Sequence, residues 1–482
     1  MPDNAQIVRV LPEVLLSVFG TLLMVLDALT GRRRKGFLGL LALAAIYAAW
    51  IGALISYGKP GAAFYGMVAV DGLATFFRVL ICAVGFLTVL SSMSYLQRDG
   101  LPQGEYYALI LFSLAGQGLM AVSTDLILIF LGLEISSIST YILAGFLRQD
   151  GRSTESALKY FFLGSFATAF LLYGVALLYG AAGSTRLAAI QSAIAGGQAG
   201  GPLLGAAIGL LFVGLAFKVS AAPFQMWTPD VYQGAPSPVA AFLSTGPKAA
   251  AFAVFLRVFF TALPDAGPAW RWVLWVSALL SMTIGNLAAL RQTNIKRLLA
   301  YSSIAHAGYV LVAFAARTPI GAAAAMFYLA AYAFMNIGAF VVVSHLAGRG
   351  EQYVEVDDYA GLGARRPILA ALLTIFLLSL IGIPLTGGFF GKFYIFRAAI
   401  HGELIWLAVL GLLNTAVAAY YYLRVIVVMY MREPQTDVPL DPLPASVAAA
   451  LLVSAAATFY LGLFPGRVLD FASRSAALLL PR

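Results

Sequence analysis

Long apolar runs recur along the 482-residue chain, separated by short polar joints. A run of roughly 18–25 apolar residues is long enough to cross the hydrocarbon core of a bilayer as a helix. Such runs centre on 11–29, 37–56, 70–95, 106–122, 126–147, 155–179, 203–222, 238–262, 271–290, 297–316, 321–346, 367–400, 404–430 and 445–464. The pattern predicts an all-α polytopic membrane protein with about fourteen transmembrane helices. Two spans are irregular. The seventh breaks at Pro223, and the twelfth is too long for one crossing and breaks within Gly382-Ile383-Pro384-Leu385-Thr386-Gly387-Gly388.

The breaks fall beside charge. Lys218 precedes Pro223, and Lys248 follows Gly246-Pro247, both inside otherwise apolar runs. Proline removes a backbone donor and leaves a carbonyl one turn upstream without its partner. In hydrocarbon such a break is tolerated only against protein or water. A helix interrupted next to a lysine therefore points to an internal, hydrated path for charge. The plainer alternative is a kink with lysines snorkelling to the headgroups.

A weak internal repeat supports the first reading. Leu133-Glu134-Ile135-Ser136-Ser137-Ile138 in span 5 and Ala300-Tyr301-Ser302-Ser303-Ile304-Ala305-His306 in span 10 each lie two spans before a broken one. The broken spans 7 and 12 carry Lys218 and Lys392. Spans 4–8 and 9–13 are thus expected to be two inverted five-helix repeats. Interrupted segments at matching positions in two halves are a sequence pointer to an ion path.

The candidate chemistry lies in intramembrane ionisable residues: Glu134, Lys159, Lys218, Lys248, His306 and Lys392. Ser137 and Tyr141 share a helix face with Glu134, and Ser302, Ser303 and Tyr309 lie close to His306. A buried charge requires a partner, water or an altered proton affinity. Moving a proton against about 150 mV costs roughly 3.5 kcal/mol. A lysine relay must then swing its proton affinity by about two to three pKa units. Opening and closing a contact between Glu134 and a lysine is expected to supply that swing. The structural alternatives are an interhelical hydrogen bond for His306 and snorkelling for Lys159. Arg78 with Asp71, Arg257 and Arg424 read as anchors or interface pairs near span ends.

Composition agrees with the membrane reading. The chain is 61% hydrophobic and 11% charged, with a mean hydropathy of +0.89. Its net charge of +9 speaks of topology, because no basic run is interleaved with aromatics as nucleic-acid binding would require. Cys82 is the single cysteine, which excludes an intrachain disulfide and a cysteine-ligated cluster. The three histidines are far apart, and no nucleotide-binding or HExxH motif occurs, so no cofactor or metal is expected in this chain. Residues 1–10 lack the basic region and cleavage site of a signal peptide, so the first helix should be retained.

Basic residues set the expected orientation. The joints after spans 1, 3, 5, 9, 11 and 13 hold Arg32-Arg33-Arg34-Lys35, Arg98, Arg148/Arg152, Arg291/Lys296/Arg297, Arg349/Arg365/Arg366 and Arg432. That is about fourteen against about eight opposite, which puts these joints in the cytoplasm and both termini outside. The Gly/Ala-rich stretch 181–202 carries Leu187, Ile190 and Ile194 at helical spacing and predicts a short surface helix. The acidic stretch 348–366, with Glu351, Glu355, Asp357 and Asp358, reads as solvated rather than as a subunit contact.

Three motifs now carry a resemblance. WTPDVYQGAPSPVAAFLSTGPKAA (227–250), IKRLLAYSSIAHAGYVLVA (295–313) and PLTGGFFGKFYIF (384–396) resemble the antiporter-like membrane subunits of respiratory complex I, its N-type branch most closely. The likeness covers roughly 70–430. It implies fourteen helices, broken helices 7 and 12, and proton translocation. By that resemblance the family's helix-5 glutamate falls on Glu134 and its helix-6, helix-7, helix-8 and helix-12 lysines on Lys159, Lys218, Lys248 and Lys392. His306 matches as well. Gln225 departs from the pattern: many relatives have a histidine there, and glutamine cannot take up a proton.

The resemblance further implies a bacterial inner-membrane subunit of an NADH:quinone oxidoreductase. NADH, FMN, iron–sulfur clusters and quinone would belong to partner subunits, and the neighbours would include antiporter-like subunit M and the small membrane subunits. The expected division is an N-terminal three-helix segment (1–104), two repeats (105–262 and 270–432) and a C-terminal helix and tail (433–482). The rival readings are an Mrp-type Na⁺/H⁺ antiporter subunit, a stand-alone antiporter, a membrane-bound hydrogenase arm and a scaffold without transport.

Overall fold

Every apolar run forms a helix at the expected place in the computed structural model, which describes residues 4–30, 36–263, 269–434 and 441–477. The spans in one piece are Leu11–Leu29 (span 1), Gly36–Tyr57 (2), Gly72–Asp99 (3), Gln103–Val122 (4), Leu126–Ala144 (5) and Gly151–Ala182 (6). They continue with Ser237–Ala262 (8), Ala269–Ala289 (9), Ile295–Ala315 (10), Pro319–Leu346 (11), Ile405–Met431 (13) and Ala445–Leu463 (14). With the first half of span 7, thirteen helices among the described residues are long and apolar enough to cross a membrane.

Local chemistry marks their ends. Asp71, Asp125, Asp150, Asn294 and Thr318 each accept a hydrogen bond from a free amide in the first turn of spans 3, 5, 6, 10 and 11. These amides have no partner within the helix, and a capping side chain contributes about 1 kcal/mol by taking one of them.

Both expected breaks are present. Span 7 runs as Gly201–Val219, turns through Ser220 at φ 61°, and resumes as the short helix Thr228–Gly234. Span 12 runs as Pro367–Ile381, turns at Gly382 (φ 98°), and resumes as Gly387–His401. Span 8 holds Pro247 within its helix and ends in a π-turn over Leu256–Ala262.

The two five-helix units pack alike. Span 4 lies on span 5 as span 9 lies on span 10, and spans 6 and 11 each hold both halves of a broken helix. Glycine sets the closeness of the first pair: a Cβ on Gly116 would sit 2.5 Å from the Gly132 carbonyl oxygen. Gly308 plays the same part in the second unit, against the span 9 backbone. Small residues of this kind allow membrane helices to approach backbone to backbone. Five crossings reverse the chain's direction, so the second unit runs opposite to the first.

Spans 8, 10 and 11 are the centre of the molecule: 94% of the apolar stretch of each is buried, against 33% in spans 6 and 13. The 187–195 surface helix forms as expected, with Leu187 and Ile190 buried. Two elements had no clear signal in the pattern. A small hairpin pairs Gly61–Ala63 with Val68–Val70, and the helix Pro465–Ala476 folds back onto spans 3 and 11.

Three expectations need correction. Glu351 is not solvated: it accepts hydrogen bonds from the Ser237 amide (2.5 Å) and the Tyr95 hydroxyl (2.9 Å), and pairs with Lys296. Lys296 is only 1% exposed, so it fastens the fold rather than meeting solvent as a free joint charge. Asp71 pairs with Arg257 (3.0 Å), not with Arg78. The arginine cluster 32–35 lies outside the described residues.

Candidate functional site

The buried lysines sit where the broken helices and the central spans meet. Lys218, in the last turn of the first half of span 7, donates to Ser137 Oγ (2.6 Å) and the Tyr141 hydroxyl (3.2 Å) of span 5. Its Nζ lies 5.1 Å from the Tyr141 ring centre and 5.8 Å from that of Tyr160. Glu134 is one turn from Ser137 on the same helix, and its carboxylate accepts from the Thr168 hydroxyl at 2.9 Å. No direct Glu134–lysine ion pair is present among the described residues.

Lys159 stands apart from Glu134. Its ammonium is held between Asp230 Oδ2 and Glu155 Oε1, each at 2.7 Å, and its side chain is 41% exposed. Thr168, the partner of Glu134, lies nine residues further along the same helix, a rise of about 13.5 Å. The expected contact between Glu134 and a lysine is therefore not made through Lys159, which pairs with Asp230 and Glu155 instead. Asp230 also accepts from Arg297 at 2.6 Å, which links the second half of span 7 to spans 6 and 10.

Lys248 reaches across to span 10, donating to Ser303 Oγ (2.5 Å) and the Ser303 carbonyl (3.2 Å). The Tyr332 hydroxyl donates to the same Oγ at 2.8 Å. His306 hydrogen-bonds with Tyr328 and, at 3.2 Å, with Tyr422. Lys392 donates to the carbonyls of Leu380 (3.0 Å) and Ile381 (2.9 Å). These are end-of-helix carbonyls that the break at Gly382 leaves without amide partners. The Lys392 ammonium also lies 4.6 Å from the Tyr309 ring centre, and Tyr309 is 5.7 Å from His306, ring to ring.

These groups form one row. Tyr160 stacks on Trp227 (4.5 Å), Trp227 meets Tyr232 edge-on (6.0 Å), and Tyr232 lies 5.9 Å from the Lys248 ammonium. An aromatic wall thus runs from Lys218 to Lys248, and the Ser303–Tyr332–His306–Tyr309 group runs on to Lys392. Hydroxyls along the row can accept from an ammonium and donate to an amine, so they serve both protonation states of a lysine. Among the described residues, the carboxylates that touch the row's members, Glu134, Glu155 and Asp230, lie at one end. A cavity of about 620 Å³ opens from Lys392 to the surface past Phe393, Arg397 and His401. Gln225 sits in the break of span 7, half-buried, with its Oε1 lacking a hydrogen-bond partner.

Sequence reading missed Asp230, Arg297, Tyr332 and Asn336 as neighbours of the row. A signal exists for the last two: Tyr328, Tyr332 and Asn336 repeat at four-residue spacing along span 11, a polar stripe on an otherwise apolar helix.

Two five-helix units, each with a broken helix and a lysine at the break, define an antiporter-type membrane protein. The family described as NADH:quinone oxidoreductase/Mrp antiporter, TM matches residues 123–418. The chain is 59% identical to NADH-quinone oxidoreductase subunit N 1 of Solibacter usitatus (strain Ellin6076), over 99% of this chain and 98% of that one. It belongs to the family of NADH-quinone oxidoreductase subunit N. Among solved structures, a chain of respiratory complex I from Thermus thermophilus with bound aureothin is 38% identical, with a TM-score of 0.82, covering 96% of this chain and 99% of that one. A chain of the Mrp complex from Dietzia sp. DQ12-45-1b shares the fold (TM-score 0.86, covering 98% and 97%) at only 20% identity.

Proposed function

We propose that this chain is a proton-translocating subunit in the membrane arm of an NADH:quinone oxidoreductase. Electron transfer from NADH through FMN and iron–sulfur clusters to quinone would occur in partner subunits, among them the antiporter-like subunit M and the small membrane subunits. The observation that carries this reading is the row of three buried lysines, Lys218, Lys248 and Lys392, strung through both five-helix units (105–262 and 270–432). In this proposal Glu134 biases the proton affinity of Lys218 through the shared Ser137–Tyr141 face. Lys248, His306 and Lys392 pass the proton on. Lys159, held by Asp230, sets the charge at the other end of span 6. The position of Gln225 contributes no proton of its own.

The location proposed is the bacterial inner membrane, with the Glu351 and Lys296 side in the cytoplasm and both termini outside. The test is a tagged complex, purified in mild detergent, identified by its partners and reconstituted into vesicles. Flavin- and iron–sulfur-bearing partners are expected, and Lys218→Met and Glu134→Ala should assemble yet pump fewer protons per NADH. Unchanged proton-to-electron ratios in both variants would overturn the assignment.

A further inference from the structure

Lys392 faces an aromatic ring that is itself held from another helix. The ammonium lies 4.6 Å from the centre of the Tyr309 ring and donates to the Leu380 and Ile381 carbonyls. A ring face attracts a charged ammonium and offers little to a neutral amine, so the ring's placement bears on which form Lys392 takes. The far end of Tyr309 is tied down. Its hydroxyl accepts from Thr415 Oγ1 at 3.1 Å and from Asn286 Nδ2 at 3.4 Å.

Asn286 is the hub of that anchor. It is 0% exposed in span 9, and each end of its amide has a fixed task. Oδ1 accepts from the Tyr421 hydroxyl at 3.1 Å, and Nδ2 donates to the Asn414 carbonyl at 3.0 Å. With the amide locked in this sense, the second Nδ2 hydrogen is left for Tyr309. Spans 9, 10 and 13 thus meet at one side chain.

The first unit repeats the arrangement. Span 4 has Gly116-Gln117 where span 9 has Gly285-Asn286. Both glycines let the next helix close in: a Cβ on Gly116 would lie 2.6 Å from the Ser136 amide nitrogen, and one on Gly285 2.7 Å from that of Ala305. Gln117, also 0% exposed, donates to Ser113 Oγ at 3.0 Å. Ser113 bonds Ser136 Oγ (3.0 Å), the neighbour of the Ser137 that holds Lys218. Interhelical glue alone would require neither the matched place nor a chain of contacts ending beside a lysine.

We propose that Asn286 is a positioning residue for Lys392: by fixing Tyr309 it holds the aromatic face against the ammonium and so favours the charged form. The inference rests on the proton-translocating reading. The other titratable or charged groups around Lys392 are His306 of span 10, Tyr328 of span 11, Tyr422 of span 13 and, in its own half-helix, Tyr394, Arg397 and His401. The first half of span 12 carries none, and span 14 only Tyr460, which is 41% exposed. All of these are kept in the variants below.

The assembled complex is reconstituted into vesicles, and its proton-to-electron ratio is followed from acid to alkaline pH. Asn286→Leu removes the anchor, and Tyr309→Phe removes its attachment while keeping a ring. A less favoured ammonium gives up its proton at lower pH. Each variant should therefore move the alkaline fall of the ratio down by roughly half a pH unit or more, the effect of a loosened cation–π contact. The double variant should go no further than either single one. A purely structural defect would lower the ratio at every pH without moving its alkaline fall. That result, an unshifted profile or additive shifts in the double variant, with Lys392→Met impaired, overturns the positioning role. If Asn286→Leu does not assemble, Tyr421→Phe, which frees the amide to turn, decides instead: a shift matching that of Tyr309→Phe supports the role, and any other result overturns it. Full pumping at every pH in Lys392→Met overturns the translocation reading itself, and the positioning role with it.

Discussion

Arg78 clasps Glu13 in a bidentate ion pair, Nε to Oε1 at 2.8 Å and Nη2 to Oε2 at 2.6 Å, that ties span 3 to span 1 out of reach of solvent. The side chains are 1% and 5% exposed. The arginine's remaining donors reach the Arg9 carbonyl (2.7 Å) and Ser56 Oγ (3.3 Å). Two charges taken from water are tolerable here because nearly every donor has an acceptor.

Removing one partner strands the other. Glu13→Ala is therefore expected to destabilise the protein by roughly 3–5 kcal/mol. The double variant Glu13→Leu/Arg78→Met should recover much of that loss, since well-packed apolar replacements often match a buried pair. Thermal unfolding in detergent, compared across the single and double variants, measures both.

Lys159 and Asp230 should behave as one unit. Their pair is partly exposed, so a double-mutant cycle on stability is expected to give a coupling of only about 0.2–1 kcal/mol. On proton pumping, Asp230→Ala should reproduce the defect of Lys159→Ala, and the double variant should be no worse than either. Independent, additive pumping losses would count against the pairing.

Stability should also carry a pH signature from Glu351. Burial pushes its carboxyl up, but Lys296 and the Ser237 amide more than offset this and hold it below the usual carboxylate range. A group whose folded-state value is lowered contributes stability above its unfolded value, about 4.3 for glutamate. That contribution fades as pH falls from there through the lower folded value. Unfolding temperature should drop on acidification below about pH 4.3, with a shallower drop in Glu351→Gln.

Gly388 is expected to admit no side chain. A Cβ there would lie 1.8 Å from the Ser379 carbonyl oxygen, in the other half of span 12. Gly388→Ala should force the halves apart and cost about 1–3 kcal/mol or more, as overpacking does. It should also disturb the carbonyl pair that holds Lys392. The yield of assembled complex and its unfolding temperature report the change.

The spans were legible because length and apolarity are strong local signals, and the breaks because proline and glycine punctuate helices wherever they fall. The lysines' partners were not legible. Lys218 meets Ser137 from 81 residues away, and Lys248 meets Ser303 across 55. Serines and tyrosines are common in apolar helices, so nothing in either segment marks it as the other's partner. Glu134 stands out in the sequence, but distance along span 6 separates it from Lys159, and that separation exists only once the helices are packed. Glu351 misled for the opposite reason: a polar loop reads as solvated until the fold closes over one of its residues. Glu13 lay hidden in the first apolar run, its partner 65 positions downstream.

The short helix Thr228–Gly234 is gripped from two directions. Lys159 and Ser156 hold it to the first unit, through Asp230 and the Val231 carbonyl. Arg297 holds it to the second through Asp230, and Lys296 takes the Ala235 carbonyl at its end. Seven residues are thus a rivet through both plates. Span 10, which carries Ser303 and His306, is thereby fastened through one short segment to span 6 and to the break that follows Lys218.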